Sequence, residues 1–433
     1  MAAMVRHRLI VRDFARDKIL LIRDQSRQST LPSFEFDEQH PAEVSFVNRV
    51  ARERWGIECI VLRSIEHVID PPLRTYEMEL LELPLGPPTD DSKQWVDPGE
   101  VKERELVTRC IDEKRAAEWE HPGWWSKACS WIAAQLSTDL GKIEFIQRHG
   151  WQSSSVIQSQ IGGNDYFFKA VPPHLERECA VTAFLSDRSD CVPRVIAVDR
   201  KKRWMLLRGF HGSPVEDCDD LQVWILALES YAALQVASLE YISELESLGC
   251  ARLDLTVLKD DIESLLADEH AMMVDESSGV PRNQLEFIRR QIPELRRGCD
   301  ELTKFPVTIE HGDLWPSNIL VGGGASVVID WEDVRIAPPF FGIAPLLAGM
   351  EFNQPKIDLK TALAALRQAY ARAFATIADP GETRRQFDIA VPIAMFAIAI
   401  GYKRQPTSMV AVHPWMREMV PYFASFAQRN LLA

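Results

Sequence analysis

The sequence of 433 residues predicts a mixed α+β protein in which a small α/β domain precedes a two-lobed α+β part. Two stretches, residues 1–120 and 141–215, carry short apolar runs separated by turn residues, which is the pattern of β-strands. From Leu221 onward the apolar residues recur with helical spacing, except at a hairpin pattern over residues 319–329. We therefore predict an accessory domain over 1–120, a connecting helix over 121–140, a sheet-rich lobe over 141–215 and a helical lobe over 216–433.

The hairpin pattern in the helical lobe is flanked by polar residues. Asp313 and Asn318 precede its first strand and are five residues apart, and Asp330 follows its second strand, twelve residues after Asn318. The glycine-rich turn at residues 322–325 sets a register in which Asp330 lies almost opposite Asn318. Carboxylate and carboxamide oxygens brought together in this way suit a magnesium ion, which prefers hard oxygen ligands.

The motif HGDxxxxN at residues 311–318, followed by D-W-E at 330–332, resembles the aminoglycoside phosphotransferase and choline kinase family. This resemblance implies a bilobal fold like that of protein kinases and transfer of a phosphoryl group from ATP or GTP to a hydroxyl of a small molecule. Asp313 would accept the proton of the attacking hydroxyl, and Asn318 and Asp330 would hold Mg²⁺ against the phosphates. The alternative, a solvated turn that happens to hold polar residues, leaves the joint agreement of spacing and apolar flanks unexplained.

The same resemblance implies a lysine on an upstream strand, paired with a glutamate on the next helix. Lys169 is the single cation of the strand pattern at residues 166–171, and it would contact the α and β phosphates. Glu178 follows nine residues later and shares a helical face with apolar residues, so we favour it over its neighbour Glu176. A lysine at the surface of a strand is the plain alternative for Lys169.

Two further segments are candidates for nucleotide binding. The loop between the strand patterns at 143–146 and 156–159 holds Ser153, Ser154 and Ser155, whose hydroxyl groups could donate to phosphate oxygens. A serine-rich hairpin is equally an ordinary exposed turn. Arg208 and Gly209 begin the segment where a kinase-like fold places its hinge and recognises adenine through the backbone.

One position departs from the resemblance. The family usually carries an aspartate where this chain has Gly342, and that aspartate supports the catalytic loop. The phosphate acceptor is not indicated by any motif. Asp254 and Glu351 are acidic candidates for contacting it, without special support. The sequence does not indicate an oligomeric state either.

The order of strand and helix patterns in residues 1–120 resembles a Nudix domain, whose helix binds magnesium through several glutamates. Aligning Gly56 with the end of the Nudix signature places two expected residues correctly, Arg49 and Glu53. The other key positions are occupied by residues of different chemistry: Val50 and Arg54 replace metal-binding carboxylates, Glu35 replaces a glycine, and Glu43 only approximates an upstream acid. We therefore expect no Nudix hydrolysis, and a small accessory domain of another kind is the alternative.

Composition narrows the class of protein. The net charge of −14 argues against non-specific nucleic-acid binding, which depends on basic surface. Eight scattered cysteines without a CxxC pattern favour reduced thiols in the cytoplasm. A strand pattern rather than a signal peptide opens the chain, and the apolar run at 393–400 is too short to span a membrane.

Two functions from other classes compete with the phosphotransferase prediction. The change at Gly342 and the altered Nudix signature would suit a pseudokinase-like protein that binds nucleotide without efficient transfer. The N-terminal domain could instead make assembly the main function. The intact Asp313, Asn318 and Asp330 favour the enzyme.

Overall fold

A computed structural model describes residues 4–23, 28–37, 42–68, 72–82, 92–151, 153–353, 356–405 and 415–430. The chain forms two compact units. The first unit comprises Met1–Glu176 and Val195–Gly209, and the second comprises Arg177–Arg194 and Phe210–Ala433. The first unit holds both large sheets, and the second holds most of the described helices.

The first sheet of the first unit is a seven-stranded mixed sheet. Its central strand carries apolar residues that alternate between two faces, since Leu9 and Val11 pack in one apolar cluster and Ile10 in another. This strand, β1 (Met4–Asp13), pairs in parallel with β6 (Leu73–Glu82) and antiparallel with β2 (Lys18–Arg23) and β4 (Ser33–Asp37). The elements of this region are β1 (Met4–Asp13), β2 (Lys18–Arg23), β3 (Ser29–Thr30), β4 (Ser33–Asp37), α1 (Ser45–Trp55), β5 (Glu58–Val68), β6 (Leu73–Glu82), β7 (Lys93–Val96), α2 (Arg104–Asp112) and α3 (Trp124–Gln135).

The second sheet of the first unit has five antiparallel strands in the order β11-β12-β10-β9-β8. Its middle strand is the aromatic run around Lys169, and Gly162 and Gly163 supply the positive φ angles of the turn before it. The strands are β8 (Glu144–Gly150), β9 (Ser155–Ile161), β10 (Asn164–Ala170), β11 (Val195–Asp199) and β12 (Trp204–Arg208).

The two sheets of the first unit share an apolar core. Trp124 of the connecting helix lies edge-on to Trp204 with 6.0 Å between ring centroids, and Ile60 of β5 belongs to the same buried cluster. Gln147 of β8 joins the sheets through polar contacts: its side chain donates to the Val61 carbonyl at 2.7 Å and accepts from the Val61 N–H at 2.9 Å. Residues 1–120 therefore pack directly on the sheet that carries Lys169.

The second unit is mainly helical around one large apolar core. Two successive helices meet at Gln291, because Pro293 fits the first turn of a helix but not its interior. The helices are α4 (Arg177–Ser186), α5 (Leu221–Ser238), α6 (Ile242–Ser247), α7 (Leu255–Ala267), α8 (Arg282–Arg290), α9 (Ile292–Leu302), α10 (Ile343–Asn353), α11 (Leu359–Ala373), α12 (Pro380–Lys403) and α13 (Trp415–Asn430).

Helix α12 contains the apolar run over residues 393–400 and extends beyond it at both ends. By length and composition alone it could cross a membrane, but 61% of its most apolar window is buried inside the protein. A core helix passes the same test, so this helix is weak evidence for a membrane span.

Short strands in the second unit carry the polar residues of the motifs at 311–318 and 330–332 at their ends. Strand β14 ends one residue before His311, and β17 pairs with it antiparallel. Strands β15 and β16 form the predicted hairpin. The strands are β13 (Ser213–Pro214), β14 (Thr308–Glu310), β15 (Ile319–Gly322), β16 (Ala325–Val328) and β17 (Arg335–Ala337).

Candidate active site

The hairpin of β15 and β16 has the register that the glycine turn predicts. Its two-residue turn uses Gly323 and Gly324 with φ angles of 60° and 79°, as a type I′ turn requires. The Ile329 N–H donates to the Asn318 carbonyl at 2.9 Å, beyond the last paired strand residues. Asp330 follows at once in a left-handed conformation, with φ of 68° and ψ of 61°. Local pairing thus brings the Asn318 and Asp330 backbones to the same end of the hairpin.

Asp313 and Asn318 contact each other directly. The Asn318 amide nitrogen donates to the Asp313 carbonyl at 3.0 Å, and it lies 3.4 Å from the Asp313 carboxylate oxygen Oδ2. The amide oxygen of Asn318 is its acceptor atom and is the atom available to a cation. Desolvation raises the pKa of Asp313 to about 7, and the negative charges of Asp333 and Asp330 add to this. A carboxylate with this pKa is suited to accept a proton near neutral pH.

His311 and Gly312 fix the backbone of the loop that carries Asp313. His311 is fully buried, its Nε2 lies 2.8 Å from the Ile329 carbonyl, and its Nδ1 accepts from the Asp313 N–H at 3.3 Å. Burial lowers the pKa of His311, so the neutral ring with the proton on Nε2 satisfies both bonds. Gly312 has a φ of 87°, and a Cβ there would lie 2.2 Å from the Asp333 carbonyl oxygen, so no other residue fits without a shift.

Three acidic side chains converge beside the hairpin. Carboxylate oxygens of Glu178, Asp330 and Glu332 lie within 4.8 Å of one another. The backbone of Glu332 is held by Arg177, whose guanidinium donates to its carbonyl at 2.9 Å. Hard oxygen donors at this spacing fit a magnesium ion in their chemistry, since Mg²⁺ in phosphoryl-transfer sites takes one or two carboxylates together with phosphates and water. Glu178 is 1% exposed, whereas Glu176 is exposed and precedes the helix.

The remaining predicted nucleotide-binding residues lie in the first unit. Lys169 is on β10 and is 8% exposed. Ser154 and Ser155 are buried, and the Ser155 hydroxyl donates to the His149 carbonyl at 3.3 Å. Ser153 is half-buried in the short turn between β8 and β9.

The predicted hinge residues follow β12. Arg208 is its last residue and is exposed. The Gly209 N–H donates to the Asp165 carbonyl at 2.8 Å, and a Cβ at Gly209 would lie 2.8 Å from the same oxygen. Because this N–H already has an acceptor, adenine recognition by Gly209 would have to use another backbone atom or exchange this bond.

The acidic candidates for contacting the phosphate acceptor have structural partners. Asp254 caps α7, accepting from the Thr256 N–H at 2.8 Å. Glu351 accepts from the Tyr422 hydroxyl at 2.5 Å and lies near Arg429. Neither contact assigns the side chain to a ligand.

The positions of the Nudix signature do not form a carboxylate cluster among the described residues. Arg49, Glu53 and Arg54 are exposed on α1, and Val50 is partly buried. Glu43 accepts from the Ser45 N–H at 2.9 Å, at the start of the same helix. Gly56 ends the helix in the left-handed conformation. Glu35 lies on β4, paired with Arg6.

Sequence reasoning missed four residues that border the site. Asp333 acts on Asp313 by its charge, and its place directly after the D-W-E motif was a signal that could have found it. Tyr231, Gln235 and Glu310 form a buried polar cluster with the backbone of Gly342. Nothing local in the sequence marks Tyr231 and Gln235, which lie on the long helix α5.

Solved structures of several kinases and phosphotransferases are similar to this chain. The chain is similar to a choline/ethanolamine kinase family protein from Mesorhizobium loti, with 18% identity, 71% of this chain and 95% of that chain covered, and a TM-score of 0.48. It is also similar to an ethanolamine kinase from Plasmodium vivax, with 13% identity, 75% and 92% covered, and a TM-score of 0.48. A spectinomycin phosphotransferase in complex with ADP and spectinomycin has 15% identity, 67% and 93% covered, and a TM-score of 0.40.

No curated protein sequence matches the chain. The family model of the phosphotransferase enzyme family matches residues 145–386, which include Lys169, Glu178, Asp313, Asn318 and Asp330. This match covers more than half of the 433 residues. The chain belongs to the phosphotransferase enzyme family.

Proposed function

We propose that this protein transfers the γ-phosphoryl group of ATP or GTP to a hydroxyl group of a small molecule. The observation that carries the proposal is the contact of Asp313 with Asn318 at the end of a hairpin that also presents Asp330. A carboxylate with a raised pKa beside two cation ligands is the constellation that phosphoryl transfer to an alcohol needs.

In this proposal each residue has one task. The Asp313 carboxylate accepts the proton of the acceptor hydroxyl as its oxygen forms a bond to the γ-phosphorus and the bond from that phosphorus to the bridging oxygen breaks. Asn318 and Asp330 would hold Mg²⁺, which neutralises charge on the phosphates when bound. Lys169 would contact the α and β phosphates, with Glu178 orienting the lysine or joining the cation ligands. Ser153, Ser154, Ser155, Arg208 and Gly209 stay candidates for contacts to the nucleotide.

We also propose that residues 1–120 support the lobe that carries Lys169 rather than act as a separate enzyme. The apolar cluster around Trp124 and the paired hydrogen bonds of Gln147 to Val61 support this role. Replacing Gln147 with leucine leaves the N–H and C=O of Val61 without that partner, so the full chain should unfold at a lower temperature. The resemblance of these residues to a Nudix domain stays a prediction.

The experiment that tests the main proposal measures ADP or GDP release by the full chain with Mg²⁺ and a panel of hydroxyl-bearing metabolites. The panel includes choline, ethanolamine and aminoglycosides, because the similar proteins are named for such compounds. Acceptor-dependent release that disappears in Asp313→Asn supports the proposal. Nucleotide binding without release for any acceptor would favour the pseudokinase-like alternative.

A further inference from the structure

Glu310 is a buried carboxylate directly before the His311-Gly312-Asp313 motif. It is the last residue of β14 and is 0% exposed. Its Oε1 accepts from the Gln235 amide at 2.7 Å, and its Oε2 accepts from the Tyr231 hydroxyl at 3.0 Å and the Gly342 N–H at 3.0 Å. Burying a carboxylate is costly, so one held by three donors indicates that its position matters.

The hydrogen bonds of Glu310 continue into the catalytic loop. The His311 N–H donates to the Tyr231 hydroxyl oxygen at 2.9 Å, so the proton of that hydroxyl is directed to Glu310. The ring of His311 in turn accepts from the Asp313 N–H. A chain of hydrogen bonds therefore runs from Glu310 through Tyr231 and His311 to the backbone of Asp313.

The same carboxylate occupies the space that a side chain at position 342 would need. A Cβ built on Gly342 would lie 3.1 Å from Glu310 Oε2 and 3.2 Å from the Leu314 side chain. Gly342 does not have a positive φ, so its backbone conformation does not require glycine. The residue is small because Glu310 and Leu314 already fill the space beside it.

We propose that Glu310 is a positioning residue that holds the catalytic loop from the end of β14, supplying the carboxylate that position 342 lacks in this chain. The inference rests on the proposed phosphotransferase function and names a residue that the HGDxxxxN motif does not contain. A carboxylate suits the task because the three groups that hydrogen-bond to it are all donors: the hydroxyl of Tyr231, the amide of Gln235 and the N–H of Gly342. Glutamine would turn its own N–H₂ group toward one of these donors.

The first test compares Glu310→Gln with Glu286→Gln in the full chain. Glu286 is an exposed glutamate of α8, so its variant controls for the loss of a charge. Glu310→Gln should lower kcat about tenfold to a hundredfold, because a small displacement of Asp313 misaligns the proton transfer. The KM for the nucleotide should stay within about twofold, since the proposed cation ligands are unchanged.

The second test is complementation. Glu310→Ala should lower kcat as Glu310→Gln does, and Gly342→Asp alone should destabilise the protein because it places a second carboxylate against Glu310. In the double variant, the new aspartate has the space that Glu310 has left. The kcat of the double variant should be at least about tenfold higher than that of Glu310→Ala, which is the non-additive behaviour expected of residues that share a task.

The third test separates this proposal from the function on which it rests. Hydrogen exchange at the backbone amides of His311 and Gly342 should be faster in Glu310→Gln than in the parent, whether or not an acceptor is known. If the parent released no ADP or GDP in the presence of any acceptor, the phosphotransferase function would be refuted. The hydrogen-exchange comparison would still test the positioning role of Glu310. Parent-like exchange in Glu310→Gln, a fall in stability with unchanged kcat, or a double variant no better than Glu310→Ala would each overturn the positioning role.

Discussion

Both compact units bury carboxylates, but they surround them differently. In the first unit, Glu77 is fully buried and accepts hydrogen bonds from Arg12 at 3.0 Å, Arg63 at 2.8 Å and Arg115 at 2.6 Å. Although burial alone would raise it, the hydrogen bonds and charges of Arg115 and Arg63 hold the pKa of Glu77 below its usual value. In the second unit, desolvation raises the pKa values of Glu310 and Asp313 to about 7.

The difference is the one expected between a carboxylate that only stabilises the fold and one that takes part in, or supports, chemistry. Three guanidinium groups match Glu77 so completely that it stays ionised, and it joins β1, β5 and the segment before α3. Asp313 is buried beside the negative charges of Asp333 and Asp330, and the charge of Arg335 and one amide donor offset this only in part, so the pKa of Asp313 is raised. Perturbed carboxylates of this second kind cluster at functional sites. The comparison predicts that mutations in the two regions have separable effects.

The largest effect is expected at the proposed base. Asp313→Asn preserves the shape of the side chain and removes the proton acceptor, so kcat should fall by roughly two to four orders of magnitude. The midpoint of thermal unfolding and the nucleotide affinity should change little. Steady-state kinetics and calorimetry would check this, with the exposed Asp187→Asn as the matched control. Unchanged turnover in Asp313→Asn would remove Asp313 from the mechanism.

The opposite pattern is expected at Glu77. Glu77→Gln removes the buried counter-charge of three guanidinium groups, and among the described residues only the exposed carboxylates of Asp17 and Glu113 stay near Arg12 and Arg63. The free energy of unfolding should therefore fall by about 3–5 kcal/mol. Turnover per folded molecule should match that of the parent at temperatures where the variant is folded. Chemical denaturation would measure the loss, with the exposed Glu105→Gln as control. A variant as stable as the parent would show that the remaining partners of the arginines are sufficient, and it would contradict the structural role of Glu77.

A smaller effect is expected for the proposed cation ligand. Asp330→Ala should weaken the binding of ATP with Mg²⁺ by at least about tenfold, because the phosphates would face a less neutralised site. Titration calorimetry with and without Mg²⁺ would check this, and the parent without the cation should behave like the variant. Equal affinities in the presence of Mg²⁺ would make Asp330 a structural residue.

The sequence predicted the parts of this contrast that depend on local spacing. Asn318 and Asp330 lie at the same end of a hairpin whose turn and register follow from Gly323 and Gly324, so short-range rules were sufficient to place them there. The choice of Glu178 over Glu176 also depended only on helical periodicity, and the first is buried while the second is exposed.

The sequence could not predict contacts between distant segments. Tyr231 and Glu310 are 79 residues apart, and Gly342 is 32 residues from Glu310, so no periodicity connects them. The sequence therefore marked Gly342 only as a departure from the family pattern and did not indicate that Glu310 lies beside it. The individual contacts of residues 1–120 with the second sheet could not be predicted for the same reason, since alternation shows which face of β5 is buried but not which side chains cover it.

The smallest effect is expected at His7, a buried residue of the first unit that is an exception to the contrast between the two units. This residue is fully buried, stacks on Phe34 with 5.0 Å between ring centroids, and has no hydrogen bond to either ring nitrogen from the described part of the chain. Burial lowers the pKa of His7 to about 4, and the charge of Arg74 acts in the same direction. Like the carboxylates of the catalytic loop, it is a buried titratable group without full compensation.

The pH dependence of stability tests whether this histidine is tolerated only in its neutral form. The folded pKa lies below the value near 6.5 of the unfolded chain, so the unfolded state binds the proton more readily. Stability should be complete above pH 6.5 and fall as the pH drops toward 4, by about 2 kcal/mol between pH 6.5 and 5. His7→Phe keeps an aromatic ring against Phe34 and should remove that part of the decline, while the buried His311 keeps its own contribution in both proteins. Denaturant unfolding at each pH would measure the stability of the parent and of His7→Phe. If the two curves of stability against pH were parallel, His7 would be charged or hydrated in the folded state, as the compensated groups are.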